Sequence, residues 1–204
     1  MSLKQLTSTD LLADVWFPQI VWKAHLDDVD TDAIKEYTLD LMSRNSGRQI
    51  SNIGGWQSND IKKGDCPAID EFVEMLDYTI ADLSGRLGLI GSQPLSLWIN
   101  VNPKHTFNIT HNHQGSLFSG VFYIDADKDQ GNIVFERNDD AEYFIPPVKN
   151  APQTSYNSFA TEYPPLTGNL YLFGAWMKHW VKPNLTDKDR ISISFNWGLP
   201  TAQH

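Results

Sequence analysis

Two histidines stand two positions apart, His111 and His113, in the stretch NITHNHQGSLFSGVFYID (residues 108–125), and an apolar, aromatic run follows them. In an extended strand successive side chains alternate between faces, so residues two apart share one. Both imidazoles can then reach a single metal ion while Asn112 points away. A third histidine, His179, closes another apolar run, LYLFGAWMKH. Imidazole suits iron, zinc, copper and nickel, and three protein ligands on one face leave the other positions open to small molecules. A second phasing has His113 as the first ligand, with Gly115 where its partner would stand and solvent or a halide filling the gap. The His111/His113 pair is preferred, because it uses both correctly phased rings. His25, His105 and His204 lack such spacing and read as ordinary hydrogen-bonding residues.

A second group of residues lies near the end of the chain. In RISISFNWGL (residues 190–199) Ile191, Ile193 and Phe195 alternate with Ser192, Ser194 and Asn196. Arg190 and Ser192 therefore share a face, and arginine is the side chain best shaped for a bidentate grip on a carboxylate. Such a pair can hold the far end of a dicarboxylic acid bound to the metal. The competing reading makes Arg190 the end of the turn TDKD, engaged in a surface ion pair.

These groups need a scaffold. Residues 15–26 read as a first strand or two short ones, with Pro18 at an edge or bulge. Asp30 or Thr31 caps a helix running to Arg44, with Ile34, Tyr37, Leu41 and Met42 at helical spacing and Gly47 ending it. The following SNIGGWQSND reads as a Gly-rich loop around Trp56. Pro67 opens a second helix whose stripe is Ile69, Phe72, Val73, Leu76, Ile80, Leu83 and Leu87, stopped by Gly88 and Gly91. From Leu95 onward the pattern changes to short strands separated by turn residues. The expectation is a mainly β fold with N-terminal helices, a jelly roll, forming one domain over residues 1–204. Helical support occupies 27–91 and the jelly-roll core 95–200. Residues 138–165 carry five prolines and read as a long lid or substrate loop bearing Tyr143, Phe144, Tyr156 and Phe159.

Bulk properties narrow the function classes. A net charge of −9 lacks the basic footprint of a nucleic-acid binder. No apolar run reaches the ~18 residues of a membrane span, and MSLKQLTSTD has no signal-peptide core. Cys66 is the single cysteine, which rules out an internal disulfide and fits a reducing cytoplasm. It stands before Pro67 with no activating neighbour in sequence and reads as structural. Edge strands and the N-terminal helices each offer a route to a homodimer.

His111, His179 and Arg190-x-Ser192 together resemble the iron(II)- and 2-oxoglutarate-dependent oxygenases, whose motif is His-x-Asp/Glu, a distal His, and Arg-x-Ser roughly ten positions later. More narrowly, GGWQS, WINVN, HNH before SGVFYI, and HWVKPNLTDKDRISISFN look like a prolyl-hydroxylase-like subgroup from marine bacteria and phages. The resemblance runs from about Trp56 onward. It implies a double-stranded β-helix (jelly roll), with Fe(II), 2-oxoglutarate and O2 as cofactor and cosubstrates. It implies His111 and His179 as metal ligands and Arg190, with Ser192, as the group pairing with the C5 carboxylate. Tyr123 matches a tyrosine that helps to hold that carboxylate, with core packing as its alternative role. Asn108, three before His111, and Asn196, on the Ser192 face, are further candidates to line the cosubstrate. Trp56, Trp98 and Trp176 are candidate pocket walls, with core packing the expected role of at least two of them. The departure is His113, where the family has a carboxylate: three neutral ligands leave Fe(II) at +2 instead of +1, a stronger Lewis acid that disfavours high oxidation states.

The first reading is thus a dioxygenase oxidising a C–H bond, with hydroxylation as the expected outcome, of a small molecule or a protein side chain. Two rivals remain. A cupin-like three-histidine enzyme would dispense with 2-oxoglutarate and give Arg190 to the substrate's own acid. A non-catalytic jelly-roll binding module would leave the histidines as ordinary polar residues.

Overall fold

The computed structural model describes residues 12–89, 91–145 and 152–199. Helix α1 (Thr31–Arg44) begins where the Asp30 carboxylate accepts from the Ala33 amide at 2.9 Å. That bond satisfies one of the donors every helix leaves orphaned at its start. Helix α2 (Pro67–Arg86) opens on Pro67, whose missing N–H is harmless in a first turn. Its Ile69, Phe72, Leu76 and Ile80 recur on one face and are buried. Leu87, expected in the same stripe, is the C-cap and is exposed.

The described residues form eleven strands in this order: β1 (Val21–His25), β2 (Asn52–Ile53), β3 (Trp56–Gln57), β4 (Gln93–Asn102), β5 (Phe107–His111), β6 (Phe118–Asp125), β7 (Ile133–Glu136), β8 (Ala160–Tyr163), β9 (Asn169–Gly174), β10 (His179–Val181) and β11 (Arg190–Gly198). They form a six-stranded sheet ordered β1-β9-β6-β11-β4-β3 and a five-stranded sheet ordered β2-β5-β10-β7-β8. The pairings are antiparallel throughout. This is the expected jelly roll.

The period of two on β4 and β11 divides the molecule. Leu97, Ile99 and Val101 of β4, with Ile191, Ile193, Phe195 and Trp197 of β11, join Ile69, Phe72, Leu76 and Ile80 in one core beneath the helices. The alternate residues, Trp98, Asn100 and Asn102 with Arg190, Ser192 and Ser194, line a cavity between the sheets. A second apolar cluster, which includes Tyr123, Phe135, Tyr171 and Phe173, fills the rest of that space. A layer of helix on one face of the large sheet therefore leaves the other face free to carry polar groups.

Three details differ from the sequence expectations. The segment 138–165 is not all loop: β8 pairs with β7 at the edge of the small sheet, and Asp140–Tyr143 form a 3-10 turn. ATEY is short and mostly exposed, so it carries no apolar alternation to betray a strand. Pro146, Pro147 and the rest of 146–151 lie outside the described residues. The Gly-rich stretch after α1 supplies β2 and β3, and the first strand begins only at Val21, beyond Pro18. The large sheet thus recruits β1 and β3 from before residue 95. Cys66 is a buried free thiol at the start of α2, packed in the helix-side core. Among the described residues no helix is long and apolar enough to cross a membrane.

Phe72 anchors α2: its ring stacks on Phe122 at 4.8 Å and meets Phe195 edge-on at 6.2 Å. Phe72→Ala should lower unfolding stability by about 3–5 kcal/mol in urea titrations. A loss under about 1 kcal/mol would show that the helix is not part of the cooperative core.

Candidate active site

His111 closes β5, His179 opens β10, and the two are register partners across that antiparallel pair. His113 lies two residues beyond β5. Its ring is brought in by a backbone bond, the His113 amide donating to the Ala175 carbonyl at 2.9 Å, just upstream of His179. Strand periodicity alone is therefore not what aligns it with His111. The three ring centroids are 4.3 to 5.2 Å apart. One potential ligand atom from each ring lies within 4.8 Å of the others.

Hydrogen bonds select the tautomers of two rings. His111 Nδ1 is 2.7 Å from the Ile109 carbonyl and His179 Nδ1 is 2.9 Å from the Met177 carbonyl. A carbonyl oxygen only accepts, so both Nδ1 atoms carry the proton and each neutral ring keeps a lone pair on Nε2. His113 Nε2 faces His179 Nε2 at 3.4 Å. Two nitrogens bound ~2.1 Å from one cation at right angles would be ~3.0 Å apart. Burial lowers the pKa of all three rings, to about 4 for His113 and about 3 for His179, where His111 adds to the effect. Neutral imidazoles with bare Nε2 atoms are the form that binds a metal.

Arg190 closes the other end of the same cavity. It is 1% exposed, and its Nη1 donates to the carbonyls of Gln130, Gly131 (2.9 Å) and Lys182 (3.4 Å). Its Nη2 is buried and has no hydrogen-bond partner among the described residues. An ion pair at the end of TDKD is not what holds it; Asp187 pairs with Lys104 and Lys188 with Asp125. Burial pulls the Arg190 pKa down, but guanidinium starts so high that it stays charged. A buried cation with one unused N–H group is a receptor for an anion.

Between these ends, Ser192, Tyr123 and Asn108 line the cavity. Ser192 and Tyr123 are register partners on β11 and β6. Burial raises the Tyr123 hydroxyl well above its usual pKa while the Arg190 charge opposes the rise, so it stands as a neutral phenol. Asn108 donates to the Ser51 hydroxyl at 3.2 Å.

Asn196 does not belong to the cavity lining. Its Oδ1 accepts from Ser119 at 2.7 Å and its Nδ2 donates to Ser96 at 3.0 Å, so its amide is used in tying β6 and β4 to β11. Trp98 lines the cavity, with its ring 5.9 Å from His113. Trp56 instead bonds the Asn45 carbonyl and packs on the helix-side core, while Trp176 is exposed. Gly115 sits in a turn with φ +81° and is not a lining residue. Asn100, Asn102, Ser51 and Ser194 also line the cavity and were not singled out from the sequence. The available signal was WINVN itself, where two asparagines alternate with buried aliphatics.

Among the described residues seventeen line the cavity, including three imidazoles and one guanidinium but no carboxylate. The donor set, the unpaired Nη2 and the cavity between them fit a divalent metal with a chelating dicarboxylate.

Residues 96–196 match the model of a family described as "Putative 2OG-Fe(II) oxygenase". The chain belongs to this family. It is accordingly a 2-oxoglutarate-dependent iron(II) oxygenase, with O2 as the second cosubstrate. A search of curated proteins finds no match. Solved structures with the same fold include a prolyl-4-hydroxylase from Pseudomonas putida, 14% identical, with a TM-score of 0.64 over 88% of this chain and 92% of that one. Another is a Trichoplax adhaerens prolyl hydroxylase in complex with a hypoxia-inducible-factor peptide fragment, 17% identical, with a TM-score of 0.63 over 87% and 83%. A third is the viral collagen prolyl hydroxylase of Paramecium bursaria Chlorella virus-1 in its 2-oxoglutarate complex, 12% identical, with a TM-score of 0.60 over 88% and 96%.

The depressed histidine pKa values give the metal-free protein a pH signature. The unfolded chain takes up protons near pH 6.5, whereas folded His113 and His179 resist until about 4 and 3. Their contribution to stability is complete above pH 6.5 and falls as the pH drops toward those values. Urea midpoints of the metal-free oxygenase should fall between pH 7 and 5.5, and less steeply in His179→Gln. Equal slopes for the two proteins would contradict the burial assigned to this ring.

Proposed function

We propose that His111, His113 and His179 hold iron(II), and that Arg190 receives the C5 carboxylate of 2-oxoglutarate. The observation that carries the cosubstrate assignment is the Arg190 Nη2 atom, buried and unpaired at the far end of a cavity that begins at three histidines. Held by these histidines, an iron(II) ion would supply O2 chemistry: one atom of O2 would enter succinate as 2-oxoglutarate loses CO2, and the other a substrate C–H bond.

The chain's own groups do the orienting. Gln130, Gly131 and Lys182 carbonyls hold one side of the guanidinium so that its Nη2 faces the ligand. The Tyr123 phenol and the Ser192 hydroxyl stand beside it as further donors to the same carboxylate. Val121, Ile133, Phe173 and Val181 supply apolar walls that exclude water from the bound acid. The Ile109 and Met177 carbonyls fix the proton on Nδ1 of two histidines, which orients the rings and raises their basicity.

The peptide fragment bound in the Trichoplax adhaerens structure and the exposed aromatics Tyr143, Phe144 and Tyr156 support a peptide side chain or similarly sized molecule as substrate. The free thiol and the ferrous requirement support a reducing cytoplasm.

Anaerobic addition of Fe(II) and 2-oxoglutarate should produce a weak visible charge-transfer band. Arg190→Ala should weaken 2-oxoglutarate binding by at least about 30-fold, as loss of a partner from a buried charge pair does. Its affinity for Mn(II) should be unchanged. No band in the wild-type protein, or full binding in the variant, would contradict the assignment and favour a site that does not use 2-oxoglutarate.

A further inference from the structure

The cavity contains a second buried polar atom without a partner. Asn100 is 6% exposed, and its Nδ2 donates to Ser194 Oγ at 3.0 Å. Its Oδ1 is buried with no hydrogen-bond partner among the described residues. Unpaired amide oxygens in protein interiors are rare and costly, so this one requires a reason. The register of β4 on β11 says where it stands: Trp98 opposes Ser194, Asn100 opposes Ser192, and Asn102 opposes Arg190. Trp98 is the lining residue beside His113, so Asn100 lies between the histidine end and the guanidinium end.

An ionised 2-oxo dicarboxylate offers acceptors and no donors, so it cannot satisfy an amide oxygen. It can satisfy the same amide turned over. The partner on the other side is a hydroxyl, which donates as readily as it accepts. With the amide reversed, Ser194 Oγ–H donates to Oδ1 and the Nδ2 group faces the cavity. The bond to Ser194 survives, the unpaired oxygen disappears, and the cavity gains a donor.

We propose that Asn100 is a positioning residue for the cosubstrate, its amide donating to an oxygen of the 2-oxo acid head while Arg190 holds the tail. This rests on the 2-oxoglutarate reading above. Asn100 is not one of the proposed metal ligands, so its effect falls on the acid and not on the cation.

The test compares wild-type protein, Asn100→Ala, the isosteric Asn100→Asp, and Arg190→Ala. Binding of 2-oxoglutarate and of 2-oxobutyrate, which lacks the tail carboxylate, is followed by calorimetry on the Mn(II)-loaded proteins. Mn(II) affinity and thermal midpoint are measured in parallel. Asn100→Ala should weaken both acids about tenfold or more, as the loss of one hydrogen bond to an anion does. Asn100→Asp should weaken both further, because it opposes a carboxylate to the ligand's charge. Arg190→Ala should weaken 2-oxoglutarate only, and Mn(II) affinity should stay within about twofold in both Asn100 variants. Unchanged binding of both acids in the Asn100 variants overturns the inference while leaving the cosubstrate reading intact. A penalty confined to 2-oxoglutarate overturns the placement at the head, and a parallel loss of Mn(II) affinity overturns the positioning role. Failure of the wild-type protein to bind 2-oxoglutarate overturns the reading and the inference together.

Discussion

The register between β5 and β10 is the constraint on which the site depends. It sets His111 opposite His179, and a one-residue slip would send one ring to the outer face of the small sheet. The pairing is interrupted immediately afterwards, where Val181 opposes Asn108. That irregularity keeps Asn108 and Val181, like the two histidines, in the cavity lining. The five residues of β5 and three of β10 could not hold such a register alone. They are held by β2 and β7 on either side and by the His113–Ala175 backbone bond beyond their ends.

The opposite end of the cavity is organised by the large sheet. Helices α1 and α2 take up the apolar face of β4 and β11, so the other face can carry Asn100, Asn102, Arg190, Ser192 and Ser194 without solvent. A buried guanidinium is expensive to keep, and here backbone carbonyls satisfy one of its nitrogens while leaving the other unpaired. In the proposed assignment a dianionic ligand completes that charge. Among the described residues no carboxylate lines the cavity, so the proposed cation and acid would set its electrostatics together with the guanidinium.

Local signals in the chain carried the helices and the chemically distinctive residues. Asp30 and Pro67 mark helix starts by their own side-chain and backbone chemistry, and Ile69, Phe72, Leu76 and Ile80 mark a buried face by spacing alone. The histidines and Arg190-x-Ser192 stood out because such residues are unusual in apolar strands. What could not be read depends on long-range partners. Asn196 shares the strand period of Ser192, yet Ser119 and Ser96 occupy its amide. Asn100 carries no mark in sequence that separates it from Asn196; only the unpaired oxygen in the folded cavity does. The edge strand β8 is defined by its pairing with β7 and by the Lys182–Glu162 ion pair, neither of which its own exposed residues announce.

In the proposed site three imidazoles, one of them standing where the family motif has a carboxylate, share one iron. X-ray absorption at the iron edge of the anaerobic Fe(II) protein counts those ligands directly. The wild-type protein should show scattering from three imidazoles at about 2.1 Å, falling to two in His113→Ala. Two imidazoles in the wild-type protein, with no change on replacing His113, would contradict it.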